Sequence, residues 1–534
     1  MSLMFASGSR AGRREWIGLG VLLLPLLLVS MDVSVLYFAV PYISRDLAPT
    51  GTQQLWIFDI YGFVLAGLLI TMGSLGDRIG RRRLLMVGAA AFGAASLAAA
   101  YAPSAGVLIA VRALLGIGGA TLMPSTLALI RNMFHDEKQR STAVAIWTAA
   151  LTFGVSLGPI LSGLLLEHFW WGSIFLINTP FMVALLVLVP LLVPEFRNPG
   201  AGRLDLVSSL LSLAAILPVI YGIKEIAAHG PNPPRVAGIT AGLVVGVVFV
   251  RRQQRRPDPM IDLGMFRRRA FSASITANLL AMFGLVGFAI FTTQYLQSVR
   301  GMSPLTAALW SLLPTLGVGA AVPIAAQLAQ RGVNRAYVIG TGFLIGAAGF
   351  LVLAQVRVDT AFWVVIVGAG LMASGLVVVM SLGTELVMGT VSLERAGSAS
   401  GLLETGSEFG GALGMAILGS IGTAVYRADV TRALPAGLSP NAVHAARETL
   451  AGALVTAGQL PGETGAAVLA AGRSAFTHGM HTAALTAAGL MAVSAVLAMA
   501  MLRDARPAAA PPAGDDSTQQ STVDSLEPTE SAVA

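Results

Sequence analysis

Residues 73–83 read Gly-Ser-Leu-Gly-Asp-Arg-Ile-Gly-Arg-Arg-Arg, a charged, glycine-rich turn between two apolar runs at 54–75 and 84–101. Runs of this kind match the ~20 apolar residues a helix needs to cross a bilayer core. A turn carrying Asp77, Arg78 and Arg81 to Arg83 cannot follow them into hydrocarbon without a cost of roughly 3 kcal/mol per charge. It therefore marks a hairpin of two spanning helices at one membrane face. Part of the pattern returns 252 residues later, where Gly80, Arg83 and Gly88 match Gly332, Arg335 and Gly340, while Asp77 meets Ala329. Such an internal repeat predicts two related halves.

The rest of the chain extends this reading. Of its 534 residues, 55% are hydrophobic and 11% charged, against roughly 25% charged in soluble domains, so a soluble globular protein is excluded. Apolar windows fall at 17–43, 54–75, 84–101, 106–130, 142–166, 172–194, 204–226 and 236–250, here helices 1 to 8. Six more, at 271–297, 304–328, 335–356, 360–388, 396–426 and 479–502, are helices 9 to 14. With the N-terminus cytoplasmic, 24 of the 34 basic residues fall on that side and 9 on the other, with Arg112 inside helix 4. The positive-inside rule then predicts an all-α, multi-pass protein of the cell membrane with fourteen spans and both termini cytoplasmic. The run from Ile17 to Ile43 is too long for a signal core and no small-residue cleavage site follows it, so it is expected to be retained.

Loop 2/3 corresponds to loop 10/11, so helices 1 to 6 repeat as 9 to 14, with helices 7 and 8 inserted. The expected organisation is a cytoplasmic N-terminus (1–16), a six-helix bundle (17–194), and the inserted pair with a basic linker (195–270). A second six-helix bundle (271–502) carries an outside loop at 427–478, and a disordered cytoplasmic tail closes the chain (503–534). In the linker, Met260, Ile261, Leu263, Met265 and Phe266 suggest a segment lying flat at the interface.

Several functions are excluded directly. The only lysines, Lys138 and Lys224, do not follow a glycine, so there is no Walker phosphate loop and no self-powered ATPase. Zero cysteines remove disulfides and thiolate chemistry. The net charge of +7 resides in arginines of short loops, a membrane pattern and not a nucleic-acid one. His478 and His481 make two ligands without a third, so no metal is expected, and no cofactor is implied. With no catalytic constellation at a membrane face the chain is read as a non-enzyme, leaving an intramembrane receptor or enzyme as a remote alternative.

The stretch Gly73, Asp77, Arg78, Gly80, Arg81 and Arg82 resembles the loop 2/3 signature of the major facilitator superfamily. Simple charge anchoring accounts for the arginines but not for Asp77 and the glycines. In helix 4, Arg112-Ala-Leu-Leu-Gly116-Ile-Gly118-Gly119 resembles that superfamily's buried-arginine motif. In helix 5, Gly154-Val-Ser-Leu-Gly158-Pro159 through Gly163 resembles its antiporter motif, whose Gly-Pro bends the helix at the bundle interface. In helix 1, Asp32-Val-Ser34-Val-Leu-Tyr37-Phe-Ala39-Val-Pro41 resembles the motif of fourteen-span drug:proton antiporters, with Tyr37 where asparagine is usual. Gln53 to Tyr61 and Glu404 to Gly414 are most similar to exporters of quaternary ammonium compounds. The resemblance implies two six-helix bundles plus two inserted helices, and export of lipophilic, cationic small molecules in exchange for protons. It also implies that Asp77 and the arginine cluster form a lock that breaks as the bundles rock. The alternative is the same fold exporting a natural product, amino acid or lipid precursor.

Carboxylates inside the bilayer must line a cavity, be paired or be protonated. Those expected to handle protons or cations are Asp32, Asp59, Glu385, Glu404 and Glu408; Glu404 and Glu408 stand one turn apart on one face, suited to share a proton. Each also has a structural reading, as a hydrogen-bonding or snorkelling carboxylate. Arg112 either neutralises one of these acids or bonds backbone carbonyls. Tyr37, Tyr61, Trp147, Phe153, Phe283, Phe288, Phe291 and Phe409 are the aromatics available to cradle an organic cation, against a packing or lipid-facing role for each.

Overall fold

The computed structural model describes residues 11–197, 205–256, 259, 261, 263–391 and 396–503. Residues 504–534 of the expected tail, and most of the expected N-terminal segment, lie outside them. Backbone groups in hydrocarbon must be satisfied within their own segment, and the apolar runs accordingly form helices, fourteen of them long and apolar enough to cross a membrane. Helices 1 to 6 span Arg13–Leu47, Gly51–Ile79, Arg81–Ala100, Ala105–Met133, Glu137–His168 and Asn178–Leu192. Helices 7 and 8 span Leu206–His229 and Pro233–Arg255. Helix 9 spans Arg269–Gln294, helix 10 is Pro304–Trp310 continued by Leu313–Gln330, and helices 11 to 14 are Arg335–Leu353, Phe362–Gly389, Ala396–Ala433 and Gly462–Leu502.

Helix starts carry the expected caps. Thr50 and Gln53 form a reciprocal box at helix 2, and Ser104, Asp136, Asn232, Ser303 and Asn334 each accept a bond from a first-turn amide. The repeated turn is visible in the backbone: Gly80 has φ +113° and Gly332 φ +89°, both in the left-handed region that favours glycine. At Gly80 a Cβ would also stand 2.6 Å from the Glu195 carboxylate.

Helix pairing obeys the same repeat. Helix 1 packs on 5, 2 on 4, 3 on 4 and 3 on 6; correspondingly 9 packs on 13, 10 on 12, 11 on 12 and 11 on 14. Helices 7 and 8 pair with one another, and helix 7 leans on both helix 2 and helix 13. The bundles meet through helix pairs 2/13, 5/10 and 1/9. Named contacts at these seams lie toward the end away from the basic loops, with Gly163 against Leu305 and Gly419 against Leu55. Closer to the basic end, helix 2 instead touches helix 7, with Gly67 under Leu213 and Thr71 bonded to Ser209.

The outside segment 427–478 is largely helical: helices 13 and 14 run on for 38 and 41 residues, about 57 and 62 Å at 1.5 Å per residue, far beyond a ~30 Å core. Their ends are joined by short helices Pro440–Glu448 and Leu450–Gln459, which dock because Tyr426 donates to the Ala446 carbonyl and Arg427 pairs with Glu448. Glu448 also accepts from the Gly51 amide of helix 2, at 3.0 Å, tying the hairpin to the first bundle. Met265 is buried with Phe271, Ile275, Val387 and Leu403, because those helix ends leave an apolar recess that one long side chain fills; Met260 lies outside the described residues.

Candidate functional site

At the centre, Asp32 of helix 1 is ion-paired with Arg112 of helix 4, and both side chains are almost wholly enclosed, at 2% and 0% exposure. The guanidinium also donates through Nε to the Ile57 carbonyl of helix 2 at 3.0 Å and lies 4.8 Å from the Tyr61 ring. Gly116 and Gly119 bring helix 4 this close to helix 2, since a Cβ on either would meet Tyr61 or Val64 within 3.0 Å. Arg112 thus fills both roles open to it, neutralising an acid and bonding a backbone carbonyl.

Asp59, on helix 2, is paired with a residue that sequence reasoning overlooked. Lys224 of helix 7 places Nζ 2.6 Å from Asp59 Oδ2 and 4.0 Å from the centre of the Trp56 ring. The charge tally had left Lys224 with the basic residues on the far side, yet its side chain is completely enclosed. The signal was present: a lone lysine in an apolar run costs too much to leave unpaired.

Glu404 and Glu408 differ from both. They are half-buried, and among the described residues neither has a basic partner or a hydrogen bond. Gly401, less than a turn away on the same face, has open space where a side chain would stand, so no described residue packs on this face of helix 13 there. Glu408 lies within electrostatic reach of Tyr37 and Tyr61 across the seam. Tyr37 stacks on Phe58 with centroids 5.4 Å apart and donates to the Val286 carbonyl of helix 9 at 3.4 Å. Near the outer hairpin a small cavity of about 50 Å³ remains among Gln54, Phe291, Glu448 and their neighbours.

The remaining residues separate. Glu385 stands apart from the central group, 54% exposed and paired with Arg335 at 2.6 Å beside the repeated turn. Phe288 is fully enclosed, with the Phe291 and Phe350 rings 5.2 and 5.3 Å from its own. Phe291 packs on Phe476 and borders the small outer cavity, and Phe283 is buried where helix 9 crosses Gly414. Phe409 meets Phe63 edge-on, Trp147 donates to Thr126, and Phe153 is 58% exposed. Gly154 and Gly158 do not sit at the bundle seam. They seat helix 5, with its internal Pro159, against Ser30 and Ser34 of helix 1, and the seam contact is made one turn later by Gly163.

In the loop 2/3 turn, Asp77 accepts from Arg81 at 2.7–2.8 Å within its own helix junction, beside Gly73 and Arg78. A second residue missed in the sequence, Glu195 beyond helix 6, accepts from the Arg82 and Arg83 amides. Among the described residues no three His, Asp or Glu side chains come together as a metal site would need.

Residues 22–415 match the family model described as Major Facilitator Superfamily. The chain is 44% identical to the "Multidrug efflux pump LfrA" of Mycolicibacterium smegmatis, over 93% of this chain and 98% of that protein. It is 36% identical to the "Methyl viologen resistance protein SmvA" of Salmonella typhimurium, over 90% and 96% of the two chains. A crystal structure of a bacterial homologue of the human lysosomal transporter Spinster, inward-facing and unoccupied, shares the fold with a TM-score of 0.64 at 18% identity, covering 94% of this chain and all of that one. With these matches spanning both bundles, the chain belongs to the major facilitator superfamily and is a multi-pass membrane transporter, not an enzyme.

Proposed function

We propose that the protein exports lipophilic, cationic compounds across the cell membrane in exchange for protons, by alternating access of a cleft between its two bundles. The basic loops and both termini face the cytoplasm in this reading, and substrate enters from that side. The observation that carries it is the contrast among the intramembrane acids: Asp32 and Asp59 already hold a cation each, whereas among the described residues Glu404 and Glu408 have none and stand beside open space. Two adjacent carboxylates with no basic partner among the described residues offer a site where protons and an organic cation exclude one another, which is what exchange requires. The names of the relatives point the same way, one a multidrug pump and the other a resistance protein for methyl viologen, an organic dication. Alternating access then follows from the repeat: two bundles of like build, joined at one end, rock about a site near the midplane.

The test is everted membrane vesicles carrying the protein and a pH-sensitive dye. Adding methyl viologen or another lipophilic cation should release protons from acidified vesicles, and nigericin should abolish uphill export. Export sustained by a sodium gradient with the proton gradient collapsed would overturn proton coupling.

A further inference from the structure

The Lys224–Asp59 pair is unusual in what surrounds it. Apart from one another, neither Lys224 Nζ nor either Asp59 oxygen has a hydrogen-bond partner among the described residues. A buried ion pair without supporting bonds is generally no more stable than apolar residues of the same shape, so packing alone does not explain it. Its cation also sits in a particular place. Trp56 and Asp59 are three residues apart on one face of helix 2, and together they present an aromatic face and a carboxylate to one ammonium. That combination recognises alkylammonium and quaternary ammonium ions. Here the ammonium comes from helix 7, which belongs to neither bundle. Helix 7 touches the first bundle through Leu213 on Gly67, and the second through Ile220, which packs with Ala412 and Ala416 of helix 13. Any rocking of helix 2 against helix 13 must move helix 7 relative to at least one of them. Trp56 is half-buried and borders Tyr221, which is 52% exposed, so the subsite lies one aromatic ring from open surface.

We propose that Asp59 and Trp56 form a second cation subsite that Lys224 fills in this conformation. Lys224 is a tethered stand-in, which an organic ammonium ion replaces when the bundles rock and helix 7 withdraws. The inserted helices then serve the transport cycle directly: helix 7 keeps Asp59 neutralised in one state and yields it in the other. The role given to the mobile cation rests on the export reading above; the existence of the subsite does not.

Chemical rescue tests the subsite in the purified full-length chain. Lys224→Ala should lower the melting temperature, and millimolar n-butylammonium should restore it, whereas neutral n-butanol should not. The Lys224→Ala/Asp59→Asn double variant should recover stability without any additive and lose the response to butylammonium. Equal rescue by butanol, or a butylammonium response that survives Asp59→Asn, would overturn the subsite and leave a packing cavity. A second measurement keeps Lys224 intact and does not depend on the first variant folding. The chain has no cysteine of its own, so Gly67→Cys/Leu213→Cys can be bridged by oxidation, holding helix 7 on helix 2. Bridging should abolish export and dithiothreitol should restore it. Export by the bridged protein at the reduced rate would overturn the withdrawal of helix 7, while a reduced form that exports nothing would fault the export reading instead.

Discussion

Replacing Asp32 by asparagine should unfold the protein more readily than the loss of one hydrogen bond can explain. Arg112 is fully enclosed, one of its terminal nitrogens has no partner among the described residues, and Asp32 is the only carboxylate paired with it there. A neutral amide at position 32 leaves a whole positive charge facing one backbone carbonyl and the Tyr61 ring. Removing one partner of a buried ion pair costs about 3–5 kcal/mol, whereas a neutral hydrogen bond is worth about 0.5–1.5 kcal/mol net. At ~1.4 kcal/mol per tenfold, the first figure is a folded-to-unfolded ratio lowered by roughly two to three and a half orders of magnitude. Denaturation of the purified chain in detergent, followed by tryptophan fluorescence, separates the two cases. Asp32→Asn should lose at least about 3 kcal/mol, and Asp32→Asn/Arg112→Met should recover most of it, because removing both charges leaves none stranded. A loss of about 1 kcal/mol in the single variant, or a double variant as unstable as the single, would refute the assignment.

Three further outcomes follow from the same geometry. Asp77→Asn should slow transport while leaving substrate binding in purified protein nearly unchanged, because Asp77 holds Arg81 at a helix junction remote from the cleft; parallel loss of binding would contradict this. Glu408→Gln should weaken export of dications more than of monocations, since it halves the charge of the Glu404/Glu408 pair, and transport assays that find both classes equally affected would remove the pair from substrate contact. Gly158→Leu should destabilise the first bundle by about 1–3 kcal/mol, because its Cβ would stand 2.1 Å from Ser34 Oγ; unchanged unfolding would show that helices 1 and 5 can part without cost.

Much of the fold was legible because hydrocarbon imposes one rule: every long apolar run must become a helix. Charged turns such as residues 77–83 therefore set the boundaries, and the Gly80/Gly332 match disclosed the repeat that helix pairing follows. The hairpin after helix 13 was not legible. Its alanine-rich flanks are too polar to read as membrane spans, yet they continue the helices because alanine favours helix in water as well. The site was readable as a set of acids but not as a set of pairs. Asp59 and Lys224 lie 165 positions apart, and only the packing of an inserted helix against helix 2 makes them neighbours. For the aromatics, sequence offers no direction. Phe288 and Tyr37 are equally apolar in pattern, and the first faces helix 11 while the second faces Phe58 and the seam.

The central claim is that Glu404 and Glu408 exchange protons for cations. An exported monovalent cation works against ~2.3 kcal/mol per 100 mV of a negative interior; one proton cancels that charge, and two add the voltage as a driving force. Proton and cation fluxes should therefore be recorded together in proteoliposomes at clamped voltage, for the wild-type chain and for Glu404→Gln/Glu408→Gln. Two protons should cross per monovalent cation, at a rate that rises with voltage, and the double variant should show no cation-driven proton flux while still folding. A voltage-independent ratio of one would contradict the two-proton exchange, and full coupling in the double variant would place the exchange elsewhere.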